Sequence, residues 1–217
     1  DAADRAAGRS RSGALRDIDV DGIDEAFFEA PGQVVAVKLD RGAAIGEWDI
    51  RAARHALTGV VRRRFEASHA RLLRAEQAGT IRVEGADVAP GAGQAAASAE
   101  GTVASIHEIV ASKEAGLGAL LFYDAYERRS GLVHLLAPSV TPETFSQGRF
   151  EQLANVLDAP YHLDELTDTS LRASCRAPLA DGGELIVRKD LALGGDRLDP
   201  TLDLAVTVEN ASERPLT

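Results

Sequence analysis

The residues best suited to chemistry lie near the start of the chain, in Asp17-Ile-Asp19-Val-Asp21-Gly22-Ile-Asp24-Glu25. Carboxylates at every second position, with glycine after the third, let a tight loop aim several oxygens at one centre. That is what a hard cation such as calcium requires. The twelve-residue EF-hand form is excluded, because its closing glutamate position holds Phe28. The shorter form, which runs straight into a strand, is satisfied by Glu25. Asp17, Asp19, Asp21 and Glu25 are therefore the expected ligands of one structural calcium ion, with the Ile23 carbonyl and water completing the shell. The plainer alternative is an acidic, solvated turn. Close negative charges that repel one another without a counterion favour the cation.

The five histidines, His55, His69, His107, His134 and His162, are scattered and show no zinc-ligand spacing. The sequence carries no Gly-x-Ser-x-Gly elbow and no Gly-x-x-x-x-Gly-Lys phosphate loop. A pair of acid/base carboxylates is not recognisable from spacing, since such pairs meet only in the fold. Aromatic residues are 5% of the chain, so those that cluster carry information. Tyr123 and Tyr126 flank Asp124 and precede Arg128 and Arg129. Rings beside carboxylates and guanidinium groups suit sugar recognition, by stacking and hydroxyl bonding, and equally suit packing at an interface. For Trp48, between Glu47 and Asp49, packing is the expected role.

A net charge of −10 repels a phosphate backbone, which speaks against nucleic-acid binding. Arg62, Arg63 and Arg64 form the one dense basic run, read as a solvated face or an ion-pair site. No apolar run approaches the roughly 20 residues of a membrane span. Cys175 is the single cysteine, so no internal disulfide or cysteine-rich metal site exists, in keeping with a reducing cytoplasm.

The elements that must position these groups read mainly as strands. Gln33 to Leu39, after a turn at Pro31-Gly32, is a compact strand. Ile81 and Val83 alternate with polar neighbours over Thr80 to Glu84. Gly118 to Tyr123 and Gly131 to Leu136 are short apolar runs, and Glu184 to Leu193 and Leu202 to Glu209 read as consecutive strands. Two helices are expected. One runs over Asp49 to Gln77, with Ile50, Ala53, Leu57, Val60 and Val61 at helical spacing, stopped by Gly79 and weakened by Gly59; the other spans Ser105 to Ala115. An Ala/Gly/Ser-rich stretch, 85–101, is expected to be a mobile surface loop. A poorly ordered leader over 1–14 and one partial domain over 15–217 complete the organisation. The chain contains no methionine, and its last strand is followed by a turn without a return strand; both ends are expected to continue in a longer protein. The fold class expected is mainly β, an incomplete antiparallel β-sandwich with one or two short helices.

Three blocks of residues resemble a known family. They are Asp17 to Glu25, then Gly42-Ala-Ala-Ile-Gly-Glu-Trp-Asp49 with Arg63-Arg64-Phe65-Glu66-Ala67-Ser68-His69, and lastly the run from Ile106-His107-Glu108 through Tyr123-Asp124-x-Tyr126-x-Arg128 to His134. From about Leu15 onward the chain resembles the C-terminal β-sandwich region of glycoside hydrolase family 57 4-α-glucanotransferases and α-amylases. It departs from that pattern at Phe65 (usually proline), Ser68 (tyrosine), Glu108 (aspartate) and Val133 (aspartate). The resemblance implies a galactose-mutarotase-like supersandwich beside a catalytic barrel that this sequence does not contain. It implies an accessory role in retaining cleavage or transfer of α-1,4-glucan, and no catalytic carboxylate here. Tyr123, Tyr126, Arg129 and His134 then line a surface facing maltooligosaccharide or the barrel. Two rivals stand beside this: a purely structural sandwich, and an epimerase-like enzyme of the mutarotase fold.

Overall fold

The computed structural model describes residues 11–59, 62–83, 110–180 and 182–212. The chain, read above as a single domain, forms two compact units, one of Asp1–Arg62 with Tyr126–Thr217 and one of Arg63–Ala125.

The first unit is a β-sandwich. Five strands, β1 (Ser12–Arg16), β2 (Glu25–Glu29), β3 (Gln33–Lys38), β4 (Ala44–Ile50) and β5 (His55–Ala56), form one antiparallel sheet in sequence order. Four more, β8 (His162–Leu166), β9 (Ser170–Pro178), β10 (Glu184–Gly195) and β11 (Pro200–Asn210), form the second, in the order 11-10-9-8. Alternation decides which side chains go inside. Ala26 and Phe28 of β2, Val35 and Val37 of β3, and Ile45 of β4 face Leu171, Ala173, Cys175 and Ala177 of β9 and Leu185, Val187, Leu191 and Leu193 of β10 in one buried core. Full burial of a side chain such as Phe28 contributes about 2–3 kcal/mol. Gln33, fully buried, accepts from the Trp48 indole at 2.9 Å and donates to the Thr201 carbonyl at 2.8 Å, so Trp48 packs against the core as expected. A short helix, called α2 below (Pro142–Ser146), follows the strand-poor stretch 126–137.

The second unit holds the longer helix α1 (Ala67–Ala78), the parallel pair β6 (Ile81–Val83) and β7 (Val110–Ser112), and a 3₁₀ turn at Leu117–Leu120. Gly79 ends α1 in the left-handed region, φ 66°, as its position after the helical run predicts.

Four expectations need correction. Ser12 to Ala14 belong to β1, not to a leader; 1–10 lie outside the described residues. The helix expected from Asp49 starts only at Ala67, because Trp48 and Ile50 complete β4 and Arg51–Arg54 turns the chain into β5. In the Ser105–Ala115 helix, 110–112 form β7, held by a partner strand distant in sequence; 105–109 lie outside the described residues, as does the 85–101 stretch. The runs 118–123 and 131–136 are not regular strands. Gly116, at φ 78°, leads the first into the 3₁₀ turn, while single bridges Ile45–Ser130 and Leu136–Gln152 hold the second.

Candidate functional site

The acidic loop closes over the outer face of the five-stranded sheet. Asp17 accepts from the Asp21 and Gly22 N–H groups at 3.1 and 3.0 Å, and Asp21 from Ile23 N–H at 2.9 Å. Val20 and Gly22 take positive φ, 61° and 88°, to make the turn. The loop's positive charge comes from the protein itself. Lys38, 4% exposed, donates to Glu25 and Asp19 at 2.7 Å each and to Asp21 at 3.2 Å. Burial alone would lower the Lys38 pKa, but the bonds to Asp19, Glu25 and Asp21 outweigh it and raise the group above the ordinary lysine value. The Ile23 N–H and the Lys38 ammonium hold the Asp21 carboxyl below its usual range. Of the four expected calcium ligands, Asp17, Asp19 and Asp21 bring oxygens within 4.8 Å of one another at the surface. Glu25, 1% exposed, is turned inward to Lys38 and the Ile18 N–H.

The expected sugar-facing residues divide between the two units. In the sandwich unit, Tyr126 and His134 meet with rings 5.4 Å apart and a 3.4 Å contact between the phenol and Nε2. Phe145 of α2 and Phe150 stack at 4.9 Å and approach His134 at 5.2 and 5.7 Å, which closes a half-buried aromatic nest. Burial, with the Arg128 charge, lowers the His134 pKa, so the ring is neutral at pH 7, and its buried Nδ1 has no hydrogen-bond partner. Arg129 is turned inward. Its side chain is 13% exposed, donates to Glu127 at 2.6 Å, and lies over Gly46, where a Cβ would come within 2.7 Å of Nη1.

Tyr123 belongs to the second unit and packs there with Phe65 and His69, at ring distances of 5.6 and 5.7 Å. The Glu66 N–H donates to His69 Nδ1 at 3.2 Å, which leaves the ring proton on Nε2. In the same unit Arg63 clamps the buried Asp124: Nη2 donates to Oδ1 at 2.6 Å, the Arg63 N–H donates to Oδ2 at 2.8 Å, and the Asp124 N–H donates to the Arg63 carbonyl at 2.9 Å. One arginine of the basic run is thus an ion-pair partner, as its plainer reading holds.

A family described as "Alpha-amylase/4-alpha-glucanotransferase, C-terminal" matches residues 17–216. The chain belongs to that family. Among its relatives, alpha-amylase 1 of Dictyoglomus thermophilum is 32% identical over 114 residues, 52% of this chain and 13% of that protein. The crystal structure of 4-alpha-glucanotransferase from Thermococcus litoralis superposes with a TM-score of 0.62 over 95% of this chain and 26% of its own, at 17% identity, a likeness in fold. This chain therefore spans a small part of both relatives.

Within this amylase/glucanotransferase C-terminal domain, the sequence reading missed Phe145 and Phe150 as members of the nest, and Phe65 and His69 as ring partners of Tyr123. A signal for α2 was present. Thr141 precedes Pro142 at the first helical position and accepts from the Thr144 N–H at 3.2 Å, a legible helix start. Among the described residues, no helix is long and apolar enough to cross a membrane.

Proposed function

We propose that this chain is an accessory carbohydrate-associated sandwich of an α-glucan-processing enzyme, and that its aromatic nest touches an α-1,4-glucan. The observation that carries this reading is the convergence of Tyr126, His134, Phe145 and Phe150, from separate stretches of a chain with few aromatics, into one half-buried cluster with polar atoms at its edge. Rings stack on the apolar faces of glucose while the phenol and imidazole bond its hydroxyls. Tyr123, with Phe65 and His69, offers a second ring cluster of the same character. Family membership and the names of the two relatives support an α-glucan as the ligand. The rest of this proposal is a glycoside hydrolase family 57 parent, a catalytic barrel as the domain's partner, retaining cleavage or transfer on that barrel, and a cytoplasmic setting.

Calorimetric titration with maltoheptaose tests the reading. Tyr126→Ala and Tyr123→Ala should each weaken binding by ~1–2 kcal/mol, the range of a lost stacking or hydrogen-bonding partner. The purely structural sandwich has an observation in its favour, since Arg129 is spent on Glu127 and on covering Gly46. Variants that melt earlier yet leave maltoheptaose affinity untouched would decide for that rival.

A further inference from the structure

At the centre of the sandwich, where β10 alternation calls for an apolar residue, stands Lys189. It is 1% exposed and flanked across the ladder by Ala173 of β9 and Val206 of β11. Among the described residues no carboxylate pairs with it. Its ammonium donates instead to the backbone carbonyls of Gly42 and Gly131, both at 2.5 Å, and lies 5.1 Å from the centre of the Tyr161 ring. A buried charge persists only where such groups compensate it.

The two carbonyls are specifically arranged. Gly42 and Gly131 both have positive φ, 71° and 79°, the region that disfavours any side chain. A Cβ on Gly42 would lie 2.3 Å from the Leu157 carbonyl, and one on Gly131 would lie 3.0 Å from Leu204. Gly131 sits between Tyr126 and His134, in a stretch without a regular ladder whose neighbour Ser130 accepts from Ile45 N–H at 2.9 Å. Lys189 thus holds from inside a segment that little secondary structure holds from outside.

We infer that Lys189 is a positioning residue, whose ammonium pins the 126–137 segment and the aromatic nest it carries to the sheet face, and that the pin weakens when the amine loses its proton. Charge-assisted hydrogen bonds are roughly twice as strong as neutral ones, so deprotonation loosens both carbonyls without removing the side chain. The other titratable groups facing Lys189 are Tyr161 and Cys175. Burial pushes both upward, so both stay neutral near pH 7 and neither replaces the missing counter-charge. Burial also pushes the Lys189 amine down to about 8, within reach of ordinary pH changes.

Hydrogen–deuterium exchange on the protein as it exists, corrected for intrinsic rates, tests the inference. From pH 7 to 9.5, exchange at 128–136 and 40–46 should quicken by about tenfold, relative to β9, as the charged bonds weaken. Lys189→Met at pH 7 should show the same regional loss and abolish its pH dependence. Protection at 128–136 that is insensitive both to pH in the wild type and to the substitution would overturn the pin. The wild-type arm settles the matter even if the variant does not fold. The nest's role in sugar contact rests on the proposal above, so maltoheptaose binding is measured separately. Regional loosening in a protein that binds no maltoheptaose supports the pin and refutes only the sugar reading.

Discussion

Lys38 and Lys189 show how much a single buried cation can organise, in opposite ways. Lys38 meets three carboxylates and keeps its charge; Lys189 meets two carbonyls and a ring and is pushed toward losing it. Removing the Lys38 ammonium leaves the enclosed Glu25 carboxyl without its cationic partner, so Lys38→Met should cost about 3–5 kcal/mol in chemical denaturation at pH 7. The raised Lys38 pKa contributes stability that is complete below the unfolded lysine value and fades only in strongly alkaline solution. The lowered Asp21 pKa works at the other end: its contribution is present above the ordinary aspartate value and is lost as pH falls through the depressed one. Between pH 6 and pH 3, Asp21→Asn should therefore lose less stability than the wild type. A calcium site remains a proposal, and it now rests on Asp17, Asp19 and Asp21. Calcium there would compete with Lys38 for Asp19 and Asp21, so calorimetry should show tighter binding to Lys38→Met than to the wild type. No heat of binding in the variant would reduce the loop to an acidic turn.

At the scale of elements, two features make sharp expectations. Asp124 follows the 3₁₀ turn and ties its segment to Arg63 ahead of α1 through side-chain and backbone bonds together. Asp124→Ala should destabilise the second unit by about 2–3 kcal/mol, the cost of removing a buried partner of the Arg63 guanidinium. Limited proteolysis should find cleavage within 63–83 before any within β9 or β10. The second feature is β11, among the described residues the terminal strand of its sheet, with Val206 and Val208 42% and 45% exposed. An edge strand with outward valines is a template for self-pairing. Val208→Lys should lower light scattering at high concentration and leave the melting temperature within about a degree. A variant that aggregates as readily as the wild type would show that association starts elsewhere.

For the whole molecule, the Lys189 site predicts an unusual pH response. The unfolded chain keeps the lysine proton to about 10.4, whereas the folded protein releases it near 8. Between these values the unfolded state binds more protons, so this group makes global stability rise with pH, by about 1–3 kcal/mol. The local pin loosens over the same range. Opposite signs for global unfolding and regional exchange distinguish this site from ordinary alkaline weakening. Lys189→Met should flatten the stability rise when urea midpoints are compared at pH 7.5 and 10.

What the sequence determined by itself was the part that alternation and local steric rules control. The strands at 33–39, 81–83, 184–193 and 202–209, the stop at Gly79 and the sandwich class all follow from side chains that must alternate between core and water, or from a backbone angle only glycine takes easily. What it could not determine was set by partners remote in the chain. Val110 to Ser112 is a strand because β6 lies beside it, while 131–136, equally apolar, is held by single bridges and a lysine from β10. The same limit applies to charge. Five carboxylates within nine residues announce that positive charge is needed, but not that Lys38, thirteen residues beyond Glu25, supplies it. Nor could spacing show that Tyr123 joins His69 while Tyr126, three residues later, joins His134 and Phe150. Periodicity reports which way a side chain points; only the tertiary structure decides what it meets, because the free energy of a ring contact or a buried charge belongs to the pair and its surroundings rather than to either residue.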